Sequence, residues 1–422
     1  MIDLVIIGAG LTGLIAAYTA VKAGKQVKIV AKGLGATHWH AGSIDVLGYY
    51  PDGATPVTRP RETIQELARS HPQHPYAMLN GGLADVLEEF VALTRAVGLP
   101  YSGAANAGDN LWLPSPVGAA RPTFLAPHAQ REGDLRRSAP MLIVGLRGMR
   151  DFYPALIAEN LAKQGQSARA ALPPLNLITE RRDINPVQLA YALDDPARRA
   201  KLAAALKKIA QPGERIGLPA ILGMDAHAAA LSDLQAQTGA AIFEIPTLPP
   251  SVPGARLTNA LRNQLRQLGV RVEINADVIG FRADGDAVLW IESNASGRPL
   301  RHRADRFLLA TGGILGGGID SDHTGKVWET VFNLPLAAPR DRREWFRARL
   351  FDPAGHPIFR AGVSVNREFQ PIDANGARVY ANLWAAGSLL AFADAVLEHS
   401  LEGIAIATGM AAARAAAKNL QY

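Results

Sequence analysis

The N-terminal segment of the chain decides the fold. It reads Ile2-Asp3-Leu4-Val5-Ile6-Ile7, then Gly8-Ala9-Gly10-Leu11-Thr12-Gly13. The apolar run predicts a buried strand, and apolar residues at helical spacing over 11–24 predict a helix that ends at Gly24. Val27 to Ala31 predicts a second strand. A strand, a glycine turn, a helix and a strand in this order open a doubly wound, dinucleotide-binding sheet.

Each glycine of this turn has its own physical purpose. Gly8 permits the tight bend, Gly10 lets the backbone approach phosphates without a Cβ, and Gly13 lets the helix pack on the sheet. The N-terminus of the helix offers N–H groups and a positive dipole end to a pyrophosphate. We therefore predict a nucleotide site that is formed by Gly8, Gly10, Leu11, Thr12 and Gly13.

Length and composition limit the function classes. The 422 residues fit two domains, and 48% hydrophobic with 19% charged residues are typical of a globular protein. No apolar run is long enough for a transmembrane helix. The net charge of +6 is scattered, which argues against nucleic acid and leaves a small anionic substrate or a membrane surface as partner. Zero cysteines exclude disulfides, a thiolate nucleophile and protein-ligated iron-sulfur clusters, and we expect no metal site.

The order of predicted elements gives the domain organisation. Residues 56–135 are rich in turns, with one clear helix near Leu83 to Val97, and strands and helices alternate over 141–245 until a proline-rich break at Pro246 to Ser251. A helix, an antiparallel excursion and a last apolar strand at 306–310 then return to the first sheet. The prediction is an α/β protein with a discontinuous Rossmann-like FAD-binding domain over 1–55 and 250–422. A second α/β domain, over 56–249, is inserted as a cap on the substrate side.

Two further glycine turns favour a flavin over a nicotinamide. Thr311-Gly312-Gly313 follows the last apolar strand, and Gly387-Ser388 closes another strand near the C-terminus. The second strand ends in Ala31-Lys32, where an NAD site usually has an acidic residue. We predict FAD. The missing acid keeps FMN open, because FMN has no adenosine. Lys32 either contacts a phosphate or ribose or is a solvated surface lysine.

The segment from Thr37 to Asp45 carries the candidates for acid-base chemistry. His38 and His40 are predicted catalytic or flavin-tuning residues, and Gly42 and Ser43 are predicted to hydrogen-bond the polar edge of the flavin. The alternative is that both histidines are satisfied loop residues. A group of arginines lies in a predicted turn and helix, where it either grips an anion or forms a solvated face: Arg340, Arg342, Arg343, Arg347 and Arg349.

These motifs also carry a family resemblance over nearly the whole length. The chain resembles the B-type subunit of anaerobic glycerol-3-phosphate dehydrogenases, within the fumarate reductase and succinate dehydrogenase flavoprotein superfamily. The likeness rests on the glycine loop and on the following segments: His38 with 41–47, Pro51-Asp52-Gly53, His74-Pro75-Tyr76, 144–152, Pro246-Thr247-Leu248-Pro249-Pro250-Ser251-Val252, Ala310 to Gly313 and 382–390. The run from Pro246 to Ser251 is the most specific.

The resemblance implies a flavin-dependent dehydrogenase subunit of glycerol metabolism in anaerobic respiration. It implies oxidation of sn-glycerol 3-phosphate to dihydroxyacetone phosphate together with a catalytic A-type flavoprotein subunit and an iron-sulfur C-type subunit. Electrons then pass to quinone. The expected location is the cytoplasm, at the inner face of the cell membrane through the complex.

The sequence departs from the family after the third glycine turn. Where the family commonly has a glycine pair and a Gly-Cys-Gly cluster, this chain has Ala391-Phe392 and Ser400-Leu401-Glu402-Gly403, so that only Gly403 remains as a predicted flavin contact. Two alternatives therefore stay open. One is a stand-alone flavoprotein reductase or oxidase that acts on a small hydroxy acid, and the other is a non-catalytic subunit for assembly or electron relay.

Overall fold

The computed structural model describes residues 2–51, 53, 55–79, 82–106, 108–178, 183–294 and 298–418, so Asp52 of the Pro51-Asp52-Gly53 motif lies outside the described residues. Strands β1 to β20 are Leu4–Ile7, Val27–Ala31, Tyr101–Ser102, Leu111–Pro114, Ala120–Thr123, Ala126–Pro127, Met141–Val144, Ala168–Ala171, Arg215–Pro219, Ile242–Ile245, Arg271–Ile274, Val278–Asp284, Ala287–Ser293, Leu300–Arg303, Arg306–Leu309, Ile319–Ser321, Val327–Glu329, Leu336–Ala337, Gly362–Val363 and Leu383–Ala385. Helices α1 to α10 are Leu11–Lys22, Pro60–Ser70, Leu83–Ala96, His128–Arg131, Pro154–Lys163, Pro186–Ala192, Pro196–Ile209, His227–Thr238, Val252–Gln267 and Leu401–Ala417.

The chain divides into two compact units. Unit 1 consists of Met1–Ala36, Asp45–Phe90 and Leu261–Tyr422, and unit 2 consists of Thr37–Ile44 and Val91–Ala260. Both units are discontinuous in sequence. Their bounds differ from the predicted ones, because residues 56–90 fall in unit 1 whereas 37–44 and 250–260 fall in unit 2.

Unit 1 is built on a five-stranded parallel sheet in the order β11-β2-β1-β15-β20. The inner strands are mostly apolar, and Val5, Ile6 and Leu308 are fully buried, as both faces of a parallel sheet require. The order of strands reverses between β1 and β15. In open α/β sheets, ligands bind outside the carboxyl ends of the strands at such a reversal, so this edge is the place to look for a cofactor site.

The antiparallel excursion predicted before the last apolar strand is a three-stranded sheet, β12-β13-β14. Helix α1 packs against α10, and their backbones approach closely, because a Cβ on Gly409 would lie 2.9 Å from the carbonyl oxygen of Thr12. The doubly wound fold of unit 1 is thus the predicted one.

Unit 2 contains a second parallel sheet in the order β10-β9-β7-β8. Its core joins the apolar β7 and β9 to side chains of α5, α7 and α8, among them Ile157, Leu206 and Leu234. Two short antiparallel pairs, β3-β6 and β4-β5, belong to the same unit.

Helix α2 lies in a region from which the sequence predicted turns and a single helix further on. Pro60 takes one of its first positions, where a missing N–H costs nothing, and Ile64 and Leu67 form its buried face. The two apolar residues lie at helical spacing, but the helix is short and mostly polar and the sequence around it is rich in prolines and glycines.

Candidate functional site: a glycine-rich edge of the first sheet

Two glycines of the first turn are required by the packing of the protein itself. Gly8 has φ +117°, and a Cβ there would lie 2.2 Å from the carbonyl oxygen of Ala310. A Cβ on Gly13 would lie 2.0 Å from the carbonyl oxygen of Gly8. These contacts let β15 and α1 close on the turn, so neither glycine needs a ligand to explain it.

Gly10 is different. Its φ is −74°, which any residue can adopt, and the nearest atom to a Cβ there would be Cα of Gly35, 4.0 Å away. Gly10 is also the N-cap of α1, where no side chain caps the helix and the first turn has no acidic residue. Since the described residues leave room for a side chain, the absence of one suits the close approach of a phosphate from outside the protein.

The other two predicted glycine turns meet the first one at the same edge of the sheet. The N–H of Gly313 donates to Oγ of Ser388 over 3.3 Å. Gly387, with φ +80°, lies so close to Thr12 that a Cβ would be 2.3 Å from its Oγ1. The structure therefore brings together Gly8, Gly10, Leu11, Thr12, Gly13, Thr311, Gly312, Gly313, Gly387 and Ser388. None of these residues is charged.

One buried polar atom at this edge has no hydrogen bond within the described part of the chain. It is Oγ1 of Thr311, directly after β15. A buried hydroxyl without a partner is costly, which makes Thr311 a natural contact for a polar ligand. The cluster thus offers backbone N–H groups, a helix N-terminus and a hydroxyl, which is the donor set that a pyrophosphate and a ribityl chain need.

Lys32 lies just after β2 and forms an ion pair with Asp277, whose carboxylate is 3.3 Å from its Nζ. The lysine side chain is 81% exposed, so the pair contributes little and leaves the amine accessible. Its predicted contact with a phosphate or ribose stays a prediction.

Gly403 is explained by packing against another segment of unit 1. Its N–H donates to the carbonyl oxygen of Asp45 over 2.9 Å, and a Cβ would lie 2.3 Å from the hydroxyl of Tyr76 and 2.7 Å from Cα of Val46. This glycine is therefore needed whether or not a cofactor is bound, and its predicted flavin contact stays a prediction.

A cleft of about 310 Å³ lies in unit 1, beside the chain that follows the third glycine turn. Leu390, Ala391 and Phe392 form one side of it, and Val363 to Val365 form another. The N–H of Ala391 donates to the carbonyl oxygen of Val363 over 3.1 Å, which fixes the two segments to each other. The residues that replace the family's glycine pair are thus part of a cleft wall.

A buried polar network supports this region, and the sequence alone did not reveal it. His74 and Glu398 are each 1% exposed, and Nε2 of the ring lies 3.1 Å from Oε2 of the carboxylate. Because Nδ1 of His74 accepts the N–H of Tyr76, the ring proton is on Nε2 and is donated to Glu398. Oγ of Ser400 donates to the same oxygen over 3.0 Å, and the N–H of Asp394 donates to the other.

The network has electrostatic consequences for its neighbours. Burial, with the nearby carboxylate of Glu398, raises the pKa of the Tyr76 hydroxyl well above its usual value. Burial and Glu398 likewise raise the pKa of Asp394, against the hydrogen bonds that it accepts from the backbone. The only sequence signal was the motif His74-Pro75-Tyr76, because its acidic partner follows more than 300 residues later.

The predicted histidines belong to unit 2, with Gly42 and Ser43. Nδ1 of His40 accepts the N–H of Gly42 over 2.7 Å, so the proton of a neutral ring is on Nε2. Nδ1 of His38 is buried and has no hydrogen bond to any described residue. The guanidinium of Arg121 donates to Oγ of Ser43 over 2.8 Å.

Unit 2 has a buried ion pair of its own at the carboxyl end of β10. Arg256 donates two hydrogen bonds to Glu244, of 2.7 and 2.9 Å, and the side chains are 3% and 0% exposed. Burial would raise the pKa of Glu244, but the guanidinium and the N–H of Leu222 hold it below its usual value. Burial and the charge of Arg256 together lower the pKa of His227.

The arginine group does not lie on a helix, which corrects the prediction. Only Arg342–Glu344 forms a single 3-10 turn, with Asp341 as its N-cap. The side chain and N–H of Arg343 lower the pKa of Asp341 to about 2. Arg342 donates to the carbonyl oxygen of His323 and lies over the ring of Trp345. The turn ends at Glu344, and the N–H of Arg347 donates to Nδ1 of His356 and not to a helical carbonyl, so the chain does not continue as a helix.

A metal centre and a transmembrane helix are both missing from the described residues. They contain no group of three or more histidines and carboxylates placed to hold a metal ion. Among the same residues, no helix has the length and apolar character needed to cross a membrane.

Comparison with known proteins also indicates a cofactor of the kind that suits the glycine-rich edge. The sequence model of the family described as "FAD binding domain" matches residues 3–399. The B-type subunit of a probable anaerobic glycerol-3-phosphate dehydrogenase from Halobacterium salinarum is 32% identical over 99% of this chain and 98% of its own length. Its counterpart from Yersinia pestis is 32% identical over 97% of this chain and 96% of its own length.

The chain belongs to the family of B-type subunits of anaerobic glycerol-3-phosphate dehydrogenase. Members of this family are FAD-binding flavoproteins, and the chain is a flavin-dependent dehydrogenase subunit with FAD as its cofactor. A flavocytochrome c3 fumarate reductase in an open conformation is similar in structure, with 11% identity, a TM-score of 0.46 and coverage of 99% of this chain and 78% of that one.

The residues at the glycine-rich edge fit FAD. Gly10 leaves the space that a pyrophosphate needs, and the lone hydroxyl of Thr311 lies where the cofactor would supply a partner. The sequence alone predicts these residues, because backbone geometry requires glycine at fixed spacings that can be read from one sequence.

Proposed function

We propose that this chain is the FAD-carrying B-type subunit of a complex that oxidises sn-glycerol 3-phosphate to dihydroxyacetone phosphate. The observation that carries the proposal is Gly10, the one glycine of the first turn that the packing of the protein does not require. Full-length similarity to curated B-type subunits supports the substrate class and the assembly with A-type and iron-sulfur C-type subunits. The complex would work in the cytoplasm, at the inner face of the membrane, and pass electrons to quinone.

The pyrophosphate of FAD would lie on the N-terminus of α1, between Gly10 and the turn at Thr311 to Gly313. Bound FAD supplies an acceptor for the hydride that leaves an alcohol carbon. Thr12 and Ser388 lie at the same edge and would donate hydrogen bonds along the cofactor. Lys32 would reach a phosphate or the ribose, because its pair with Asp277 is exposed and easily opened.

His38 is our candidate for the base that takes the hydroxyl proton of the substrate. Its Nδ1 is buried without a hydrogen bond to any described residue, so it can accept a proton. His40 suits another task, because its Nδ1 already accepts a backbone N–H and its Nε2 can only donate while the ring is neutral. We propose that His40 orients an oxygen of the substrate, and that Gly42 and Ser43 fix this segment.

The first test replaces Gly10 by valine. A Cβ there would be in ordinary van der Waals contact with Cα of Gly35, 4.0 Å away, so the apoprotein should still fold, with a melting temperature lowered by no more than about 4–8 °C because valine is a poorer N-cap than glycine. The FAD content, measured from the flavin absorbance and by acid release, should fall at least about ten-fold, because the branched side chain takes the space of the pyrophosphate. Gly280→Val is the control, because a Cβ on Gly280 would meet no atom within 4 Å and the residue lies in β12. Unchanged FAD in Gly10→Val would refute the loop assignment.

The second test uses the assembled complex and a dye acceptor. Glycerol 3-phosphate should reduce the dye with the parent chain and fail with Gly10→Val. His38→Ala should lower kcat by about 100-fold or more while FAD stays bound. A chain that binds FAD in a complex that never oxidises glycerol 3-phosphate would overturn the substrate assignment. A chain that stays colourless after incubation with FAD would instead favour a non-catalytic assembly subunit.

A further inference from the structure

Unit 2 contains a cleft that the proposed function does not use. It has a volume of about 780 Å³ and lies where β7 and β8 end, between the loop from Leu146 to Tyr153 and the chain around Leu172 and Asn176. The sheet of unit 2 is parallel, and loops at the ends of such strands often carry binding residues. Its volume is within the usual range for small-molecule sites.

The cleft is positively charged. Arg147 and Arg150 both line it, and no lining residue is acidic. Arg147 forms no ion pair with any carboxylate in the described part of unit 2. Arg150 pairs with Asp183 over 2.6 Å, but the two side chains are 68% and 70% exposed, so the pair is weak and can exchange for a ligand. Two guanidinium groups that are not held by strong ion pairs to carboxylates suit the binding of a phosphate.

The same cleft has a large apolar surface. Tyr153 and Leu172 are 59% and 57% exposed, although residues of this kind usually bury most of their surface. The floor is apolar as well, because Leu146, Met149 and Phe152 are buried beneath it. A free inorganic anion would leave this surface in contact with water. An organic phosphate with a planar ring would cover it, since an aromatic side chain and a flat ring stack favourably.

The start of α5 adds to the charge complementarity. Pro154 is among its first residues, its N-cap Tyr153 makes no capping hydrogen bond through the side chain, and the first turn has no acidic residue. The helix dipole therefore points its positive end toward the cleft, with no carboxylate in the first turn to neutralise it.

We propose that this cleft binds a mononucleotide, with the phosphate against Arg147 and Arg150 and the base against Tyr153 and Leu172. The cleft is lined by residues of unit 2 alone and the glycine-rich edge is formed by residues of unit 1, so the two sites share no residue. The proposal does not depend on the proposed substrate.

The test is calorimetric titration of the FAD-loaded chain with 5′-AMP, adenosine and inorganic phosphate. We expect saturable binding of 5′-AMP that weakens as salt is raised, and weaker binding of adenosine and of phosphate alone. Arg147→Gln should weaken 5′-AMP at least about ten-fold, and Tyr153→Ala several-fold. Arg198→Gln is the matched control, because Arg198 is a partly exposed arginine of unit 2 that pairs with Asp195.

Each other outcome would overturn the proposal. If Arg147→Gln binds 5′-AMP as tightly as the parent, the nucleotide lies elsewhere. Binding of 5′-AMP that the FAD-free parent shows, the FAD-loaded parent lacks and Arg147→Gln preserves would assign 5′-AMP to the FAD site. Equal affinity for phosphate and 5′-AMP would reduce the cleft to a simple anion site, and no saturable binding up to about 5 mM would leave it without a nucleotide. Arg147 is exposed, so circular dichroism should show the same fold in every arginine variant.

Discussion

The two parallel sheets of this chain carry different chemical groups at the carboxyl ends of their strands. In unit 1 only residues 8–10 separate β1 from α1, and the residues gathered at the sheet edge are uncharged. In unit 2 residues 145–153 separate β7 from α5, and this longer loop carries two arginines. A short turn can present only backbone N–H groups, which are fixed in place, whereas a long loop can present flexible guanidinium groups. The same topology therefore supports a permanent cofactor in one unit and, as proposed, an exchangeable ligand in the other.

The units also differ in what holds the carboxyl ends of their strands. Unit 1 relies on close backbone approach, such as Gly8 against Ala310 and Gly13 against Gly8. Unit 2 relies on the buried pair of Glu244 and Arg256, which ties β10 to α9. Close backbone contacts are disrupted when a substitution adds side-chain atoms, whereas a buried ion pair is disrupted when a substitution removes one of the two charges. Substitutions of these two kinds therefore act on different units.

The largest effect on stability is expected from Arg256→Met. The variant leaves Glu244 buried without its cation, and breaking a buried pair in this way costs about 3–5 kcal/mol. The carbonyl oxygen of Gly223 also loses the hydrogen bond from Nε. Urea unfolding of the FAD-free chain should show a lower midpoint, and the free energy of unfolding derived from it should fall by that amount.

Arg198→Met provides the control, since Arg198 and Asp195 form an exposed pair with side chains 39% and 51% exposed. Its cost should be at most about 0.5 kcal/mol. Folded Arg256→Met should still bind FAD, because the glycine-rich edge lies in unit 1. If both arginine variants cost the same, the buried pair does not stabilise unit 2 more than an exposed pair does.

A smaller effect is expected from Gly13→Ala, which adds one atom where unit 1 has no room. The new Cβ would lie 2.0 Å from the carbonyl oxygen of Gly8, and this backbone atom cannot swing aside as a side chain could. We expect a loss of about 1–3 kcal/mol in the stability of the FAD-free chain. Gly10→Ala is the matched control and should cost less, since its Cβ would be in ordinary van der Waals contact with Cα of Gly35, 4.0 Å away. Equal losses in both variants would remove the distinction between glycines that serve packing and the glycine that serves the ligand.

How far the sequence predicted these features depends on how local their causes are. The glycine loop, β2 and the turns at Thr311 and Gly387 were predicted because periodicity and glycine spacing lie within a few residues of chain. The pairing of Glu244 with Arg256 joins a strand to a helix, and that of His74 with Glu398 joins distant segments, so neither has a local signal. The domain bounds failed to match the units for the same reason, because compactness depends on distant contacts. The helix predicted at the arginine group was wrong, since the N–H of Arg347 bonds to the distant ring of His356, which composition alone does not reveal.

The smallest effect is a pH dependence of the difference between the parent and Arg256→Met. In the parent, Arg256 keeps the pKa of Glu244 below its unfolded value, so the pair stabilises the fold above about pH 4.5 and loses this effect as the pH falls through the lowered pKa. In Arg256→Met burial, His227 and the N–H of Leu222 still act on Glu244, and burial, the largest of these effects, favours the protonated form. The variant should therefore regain stability relative to the parent as the carboxyl protonates. Urea midpoints of both chains between about pH 7 and pH 4.5 should converge as the pH falls. If the difference between the two midpoints stays constant over this range, Glu244 is not the group that Arg256→Met leaves without a counter-charge. The buried ion pair would then not explain the stability of unit 2.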